Sequence, residues 1–131
     1  MLYAGGFIYN PKTSQVLLHL RDNQTSDNPN LWAFFGGLSQ ENERPEDTFK
    51  REILEELDIA VNDLTYLRDY FNPDFDTQRY VFYVILDNPK FKLGEGADAQ
   101  WFKISEALKL NLSKRTKEDL NYFTSRLKRR G

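Results

Sequence analysis

The sequence predicts an α/β fold in which strands are in the majority. Three observations carry that reading. Short runs rich in Val, Ile, Leu, Tyr and Phe, bounded by Gly, Pro, Asn and Asp, recur along the chain and read as strands. Residues 45 to 57 and the stretch "KEDLNYFTSRLK" instead space their apolar side chains at helical steps. The length, 131 residues, is that of one domain spanning residues 1–131, and no repeat, low-complexity tract or linker divides it.

The elements follow in order. "YAGGFIYN" and "QVLLHLRD" read as two strands joined by the turn-rich "NPKTS". "NQTSDNPN" reads as a polar loop, and "LWAFFGG" as one short apolar strand ending in glycines. Residues 45 to 57 read as a helix: Pro45 suits the first helical position, and Glu46 and Asp47 suit the positive end of its dipole. Arg44 offers no capping side chain. "DLTYLRDYF" and "QRYVFYVILD" are the next strands, separated by "NPDFDT", and "ADAQWFKI" is a further strand entering a turn. "SEALKL" and the final stretch are helical, the latter with Leu120, Phe123 and Leu127 in phase.

Composition narrows the class. Hydrophobic residues make up 40% and charged residues 29%, an ordinary soluble globular balance. A chain of this length buries roughly two-thirds of its extended surface, enough for a true core. A net charge of −2 argues against a chain built to coat nucleic acid. The absence of cysteine excludes disulfides and thiolate metal sites, and a single His19, read as a strand-face residue, argues against a His-rich zinc site. No apolar run is long enough to cross a bilayer. The start "MLYAGGFIYN" lacks a basic region ahead of a long apolar one, so no secretory signal is expected and the cytoplasm is the expected location.

The helix over 45 to 57 carries more acid than packing asks for. At about 100° per residue, Phe49, Ile53 and Leu57 form one stripe, widened by Leu54. Glu52, Glu55 and Glu56 fall on the adjoining side as i, i+3 and i+4 neighbours. A wet surface face is the ordinary explanation for such a run. Yet Glu52 and Glu56 form a like-charge i, i+4 pair, which costs a few tenths of a kcal/mol. Arg51 and Glu55 pair in the less favourable order, so local stability does not account for the cluster. A divalent cation does: Mg²⁺ takes hard oxygen ligands from carboxylates and substrate phosphates. Gly36 and Gly37, just upstream, let the backbone approach a ligand closely.

Taken together these residues resemble the Nudix box. Gly37, Glu43, Arg51-Glu52, Ile53, Glu55-Glu56 and Ile59 occupy its defined positions, and only Asp58 departs, standing where the family has Gly. Asp tolerates the left-handed backbone that ends such a helix, so the turn is expected to survive. Phe35 stands where many members have Pro. The resemblance implies an α/β/α sandwich around a mixed sheet, with the box as loop–helix–loop. It implies a hydrolase that cleaves the pyrophosphate linkage of a nucleoside diphosphate derivative: a dNTP, a nucleotide sugar, ADP-ribose or a dinucleoside polyphosphate.

By the same resemblance Glu52, Glu55 and Glu56 bind Mg²⁺ or Mn²⁺, joined by the carbonyl of Gly37. Arg51 orients Glu43 or Glu52, and Glu43 ties the loop to the helix. The family's general base is a box glutamate, here Glu55, or an acid of a later loop; Glu95 and Asp98 are the candidates, Glu95 favoured by its flanking glycines. Tyr3, Phe7, Trp32, Phe34, Tyr80 and Phe82 read as strand aromatics on which a base could stack, though core packing is the ordinary role of any one of them. Trp32, Phe35 and Arg21 are the substrate-binding candidates, Arg21 through a phosphate. The expected partner is a small nucleotide, with no membrane and no nucleic acid, and a homodimer is compatible with the chain. The competing reading is a nucleotide-binding or regulatory domain of the same fold that does not turn over.

Overall fold

The strand beginning at Leu2 organises the rest of the chain. In a computed structural model, which describes residues 1–20, 31–86 and 98–130, the elements are β1 (Leu2–Asn10), β2 (Gln15–Leu20), β3 (Trp32–Ala33), β4 (Phe35–Leu38), α1 (Pro45–Leu57), β5 (Thr65–Asn72), β6 (Thr77–Ile85), β7 (Asp98–Lys103), α2 (Ile104–Ala107) and α3 (Lys114–Arg130). β1 lies parallel to β6, from Leu2 opposite Gln78 to Tyr9 opposite Ile85. It lies antiparallel to β2 in its second half and to β4 in its first. β7 closes on β2, and β5 on β6, so the described strands form one mixed sheet.

The period of two along each strand builds two cores. Phe7 and Tyr9 of β1, Val16 and Leu18 of β2, and Val81 and Tyr83 of β6 face Leu120 and Phe123 of α3. The Phe7 ring meets those of Phe34 and Phe123 at 4.9 Å each. The intervening residues Ile8, Leu17, Phe82 and Val84 face the other way, onto Phe49, Ile53 and Leu57 of α1. Burying each of these large side chains stabilises the fold by about 1.5–3 kcal/mol. The result is the α/β/α sandwich expected from the sequence.

α1 spans the predicted residues, with Pro45 at its start, Glu46 and Asp47 in the first turn, and no side-chain cap from Arg44. Its stripe is narrower than expected: Leu54 is half exposed. Asp58 ends the helix in the left-handed region, φ 57 and ψ 36, with its N–H donating to Leu54 O at 2.9 Å. Asp therefore performs the turn expected of it.

"LWAFFGG" is two strands, not one. Trp32–Ala33 pairs with β2, while Phe35–Leu38 pairs with β1. The break falls at Phe34, whose ring turns into the core beneath α3. Its backbone N–H leaves the ladder and donates to Thr116 Oγ1 of α3 at 3.2 Å, so the switch leaves no buried donor unpaired. Gly36 is needed beside it. A Cβ there would lie 2.5 Å from both Ala4 O and Gly5 Cα, where β1 and β4 cross closely.

Candidate functional site

The loop before α1 is held by a single carboxylate. Glu43 Oε1 accepts from Gln40 N at 2.9 Å and from the Thr48 hydroxyl at 2.8 Å. The fork of Arg51 closes on the same group, Nε to Oε2 at 2.9 Å and Nη2 to Oε1 at 3.1 Å. Hydrogen bonding to Arg51, with the Gln40 N–H and Thr48 adding to it, holds the Glu43 carboxyl down at about 2. Arg51 Nη2 also donates to Leu38 O at 3.2 Å, fixing the end of β4 to the helix.

The remaining nitrogen of Arg51 turns to the acidic face. Nη1 donates to Glu52 Oε1 at 3.2 Å and to Glu55 Oε1 at 3.4 Å. Glu52 is largely covered, Glu55 is more than half exposed, and Glu56 lies between, with Oε2 buried. Burial pushes the Glu52 carboxyl up, with Arg51 opposing and Glu55 adding to the rise. The Glu52 carboxylate rests against Gly37: a Cβ on Gly37 would run into Glu52 Oε1 and lie 2.9 Å from its Cδ. Among the described residues no three acidic or His side chains stand already grouped as a metal cage.

On the opposite side of Gly37 lies a cavity of ≈ 570 Å³. The strand register explains its walls. Tyr3 stands level with Leu38 on β4 and Arg79 on β6, and all three line it. The next row, Ala4 and Gly37, faces α1 instead. The turn between β5 and β6 adds Asn72, Asp74 and Phe75, and the start of α3 adds Lys114, Arg115 and Thr116. Asp74 crosses the gap, accepting from Arg115 Nη2 at 2.8 Å and Lys114 Nζ at 3.3 Å.

Below the cavity Asp119, fully buried, accepts from Arg68, Tyr70 and Arg79. Burial, then the Asp119 charge, pushes the Tyr70 hydroxyl up to about 12. Arg79 carries its guanidinium 4.6 Å above the Tyr3 ring.

Of the sequence candidates, Arg51 bridges Glu52 and Glu55, Glu52 rests against Gly37, and Glu56 follows on the same helix. Trp32 and Phe35 do not join them. Phe35 is 2% exposed, packed beneath α1 with its ring stacked on His19 at 4.9 Å, and is closed to a substrate; the side chain that fits the core ends up in it. Trp32 lies edge-on to Phe102 on the α3 side and is not among the cavity walls. Phe34 is between strands rather than on one, and lines the cavity. Arg21 and Glu95 fall outside the described residues. Arg79, Asp119, Arg115 and Phe75 were missed. The signal for Arg79 was present: a charge in phase with Val81 and Tyr83, on a face that should be apolar.

The model of the NUDIX domain family matches residues 1–125. A mutT/nudix family protein from Listeria innocua superposes with a TM-score of 0.80 at 20% identity, covering 98% of this chain and 94% of its own. The NUDIX domain of NrtR from Shewanella oneidensis, solved with ADP ribose, gives 0.80 at 16% identity over 97% and 88%. The MutT NUDIX hydrolase from Burkholderia pseudomallei gives 0.71 at 21% over 93% and 98%. At such identities these likenesses bear on the fold alone. No curated protein matches the sequence.

Proposed function

The chain belongs to the NUDIX domain family, and from that premise we propose that it is a metal-dependent hydrolase of a nucleoside diphosphate derivative, acting in the cytoplasm. One observation carries the reading. Gly37 has the Glu52 carboxylate packed on one side and the cavity on the other, so the acidic helix face meets a nucleotide-sized space across bare backbone. Nudix hydrolases generally use divalent metals. The donors here suit Mg²⁺ or Mn²⁺: Glu52, Glu55 and Glu56 offer only hard carboxylate oxygens, and the family resemblance adds the carbonyl of Gly37, the residue against which Glu52 rests.

Such an ion supplies charge neutralisation at the diphosphate and a water of lowered pKa. The chain's own residues do the rest. Arg51 sets the position of Glu52 and the loop through Glu43. Glu55, the most exposed of the helix acids, or Glu95 accepts the proton of the attacking water. The cavity holds the nucleoside and aligns the diphosphate with the acidic face.

A second reading is a nucleotide-binding domain without turnover. It is favoured by Arg51, which bridges Glu52 and Glu55 and competes with a cation for them. One experiment separates the two: a panel of nucleoside triphosphates, nucleotide sugars, ADP-ribose and dinucleoside polyphosphates with Mg²⁺ or Mn²⁺, run on the intact protein and on Glu56→Gln. Release of nucleoside monophosphate that disappears in the variant supports the hydrolase. Tight binding with no product from any substrate overturns it.

A further inference from the structure

Two buried polar side chains of the cavity wall, Arg79 and Asn72, keep donors that no protein acceptor takes up among the described residues. Arg79 is 7% exposed, and its Nε donates to Asp119 Oδ2 at 2.9 Å. Among the described residues its terminal Nη groups donate to no protein acceptor, and the side chain lines the cavity. Asn72 is 3% exposed, and its orientation is fixed, because Oδ1 accepts the backbone N–H of Asp74 at 3.1 Å and only an oxygen can. Its Nδ2 is therefore a further donor at the wall. Ser113 and Thr116 are engaged with each other and with the backbone: Thr116 Oγ1 accepts from Phe34 N and is bonded to Ser113 Oγ.

A wall of surplus donors takes a ligand edge of acceptors, since a buried donor facing another donor forfeits its hydrogen bond at both ends. The rest of the cavity says what kind of ligand. Phe75 at its mouth is half exposed, as is Leu38, and Tyr3 and Phe34 present ring surface within. Flat apolar walls suit a planar ring, and the cations at the start of α3, Lys114 and Arg115, are already tied to Asp74. A guanidinium fork matches two adjacent acceptors, as guanine presents at O6 and N7. Adenine puts an amino donor at the same place.

We propose that Arg79 is the specificity-determining residue of this cavity and reads the O6/N7 edge of a guanine-type base in preference to the amino edge of adenine. The inference rests on the hydrolase reading only in taking the ligand to be a nucleotide.

The test measures binding of nucleoside monophosphates by calorimetry in chelator, without metal or turnover, so it can fail or succeed apart from the hydrolysis panel. GMP and IMP, which share O6 and N7, are expected to bind at least about tenfold more tightly than AMP, the lower part of the range for one bidentate base contact. Guanosine is expected to compete with GMP. Arg79→Gln, whose amide suits the adenine edge, is expected to bring the GMP-to-AMP ratio to one or below. Phe75→Ala, at an exposed position, is expected to weaken all three alike. Equal binding of GMP and AMP by the intact protein overturns the proposal. So does tight GMP with weak IMP, which would place recognition on the 2-amino group. Displacement of GMP by inorganic phosphate but not by guanosine would reveal a phosphate site and overturn it as well. Where Arg79→Gln fails to fold, the GMP, IMP and AMP comparison on the intact chain decides.

Discussion

Gly37→Ala puts the proposed function under the most direct strain. The added methyl enters the space of the Glu52 carboxylate, with Cδ at 2.9 Å where ordinary contact begins at 3.4 Å. The carboxylate must retreat by about half an ångström or more, the scale at which positioning begins to matter for catalysis. The obstacle is the far end of a side chain, not backbone, so the strand itself need not move. Gly37 sits opposite Ala4 with ordinary β pairing, and the loss of stability is expected to stay within about 1 kcal/mol. Catalysis is expected to fall about 10–100-fold, with the Mg²⁺ concentration for half-maximal rate rising in step, the usual cost of misplacing a metal-site group. Initial rates at graded Mg²⁺, beside urea unfolding of the same samples, read both quantities. A variant that folds normally and turns over at the parental rate with parental Mg²⁺ dependence would refute the placement of the metal at Glu52 and Gly37.

Arg51→Met removes the fork from Glu43 and leaves that carboxylate, only 14% exposed, with the Gln40 N–H and Thr48 alone; urea midpoints are expected to report a loss of about 1–3 kcal/mol. Glu43 also sets an acid limit. Its folded carboxyl lies near 2 against an ordinary 4.5, so its contribution is complete above 4.5 and is lost as pH falls towards 2; urea midpoints between pH 2 and 6 should slope in the intact protein and flatten in Arg51→Met. Asp119→Asn leaves the charges of Arg68 and Arg79 facing a neutral amide in the interior, and thermal unfolding is expected to show about 3–5 kcal/mol of destabilisation. Asp58→Val places a β-branched residue at φ 57 and should cost about 1–2 kcal/mol, while Asp58→Gly should hold or slightly improve stability in the same thermal measurement.

The parts of this molecule that could be read from the chain are those whose causes are local. α1 announces itself through Pro45, its acidic first turn and the Phe49, Ile53, Leu57 stripe, and its end through an Asp able to take the left-handed turn. The β1–β2 hairpin has its turn residues beside it. What misled was also local. "LWAFFGG" is uniformly apolar, so nothing within it marks Phe34 as the place where the chain changes partners. That break exists because Thr116, far along the sequence, supplies a hydroxyl to the stranded N–H. Among the aromatics around the glycines the sequence does not separate Trp32 and Phe35, the substrate-binding candidates, from Phe34, one of the strand aromatics on which a base could stack. The break between β3 and β4 puts Phe34, not Phe35, at the cavity.

The cavity belongs to the class of features that no window along the chain contains. Tyr3, Leu38 and Arg79 become neighbours only because β1 runs parallel to β6 and antiparallel to β4 in the observed register. A slip of one residue would turn Arg79 towards α1 and point Tyr80 into the cavity. The Asp119 network resists that slip. It holds Arg79 on the α3 side through Nε, with Arg68 and Tyr70 on the same carboxylate. A buried ionic cluster of this kind is a poor source of net stability, because desolvation offsets most of its Coulombic gain. Its value lies in fixing which face Arg79 presents, and with what free donors. The acidic face of α1 and the donor wall at Arg79 thus lie on opposite sides of one short strand, β4. They are joined at Gly37, where no side chain stands between them.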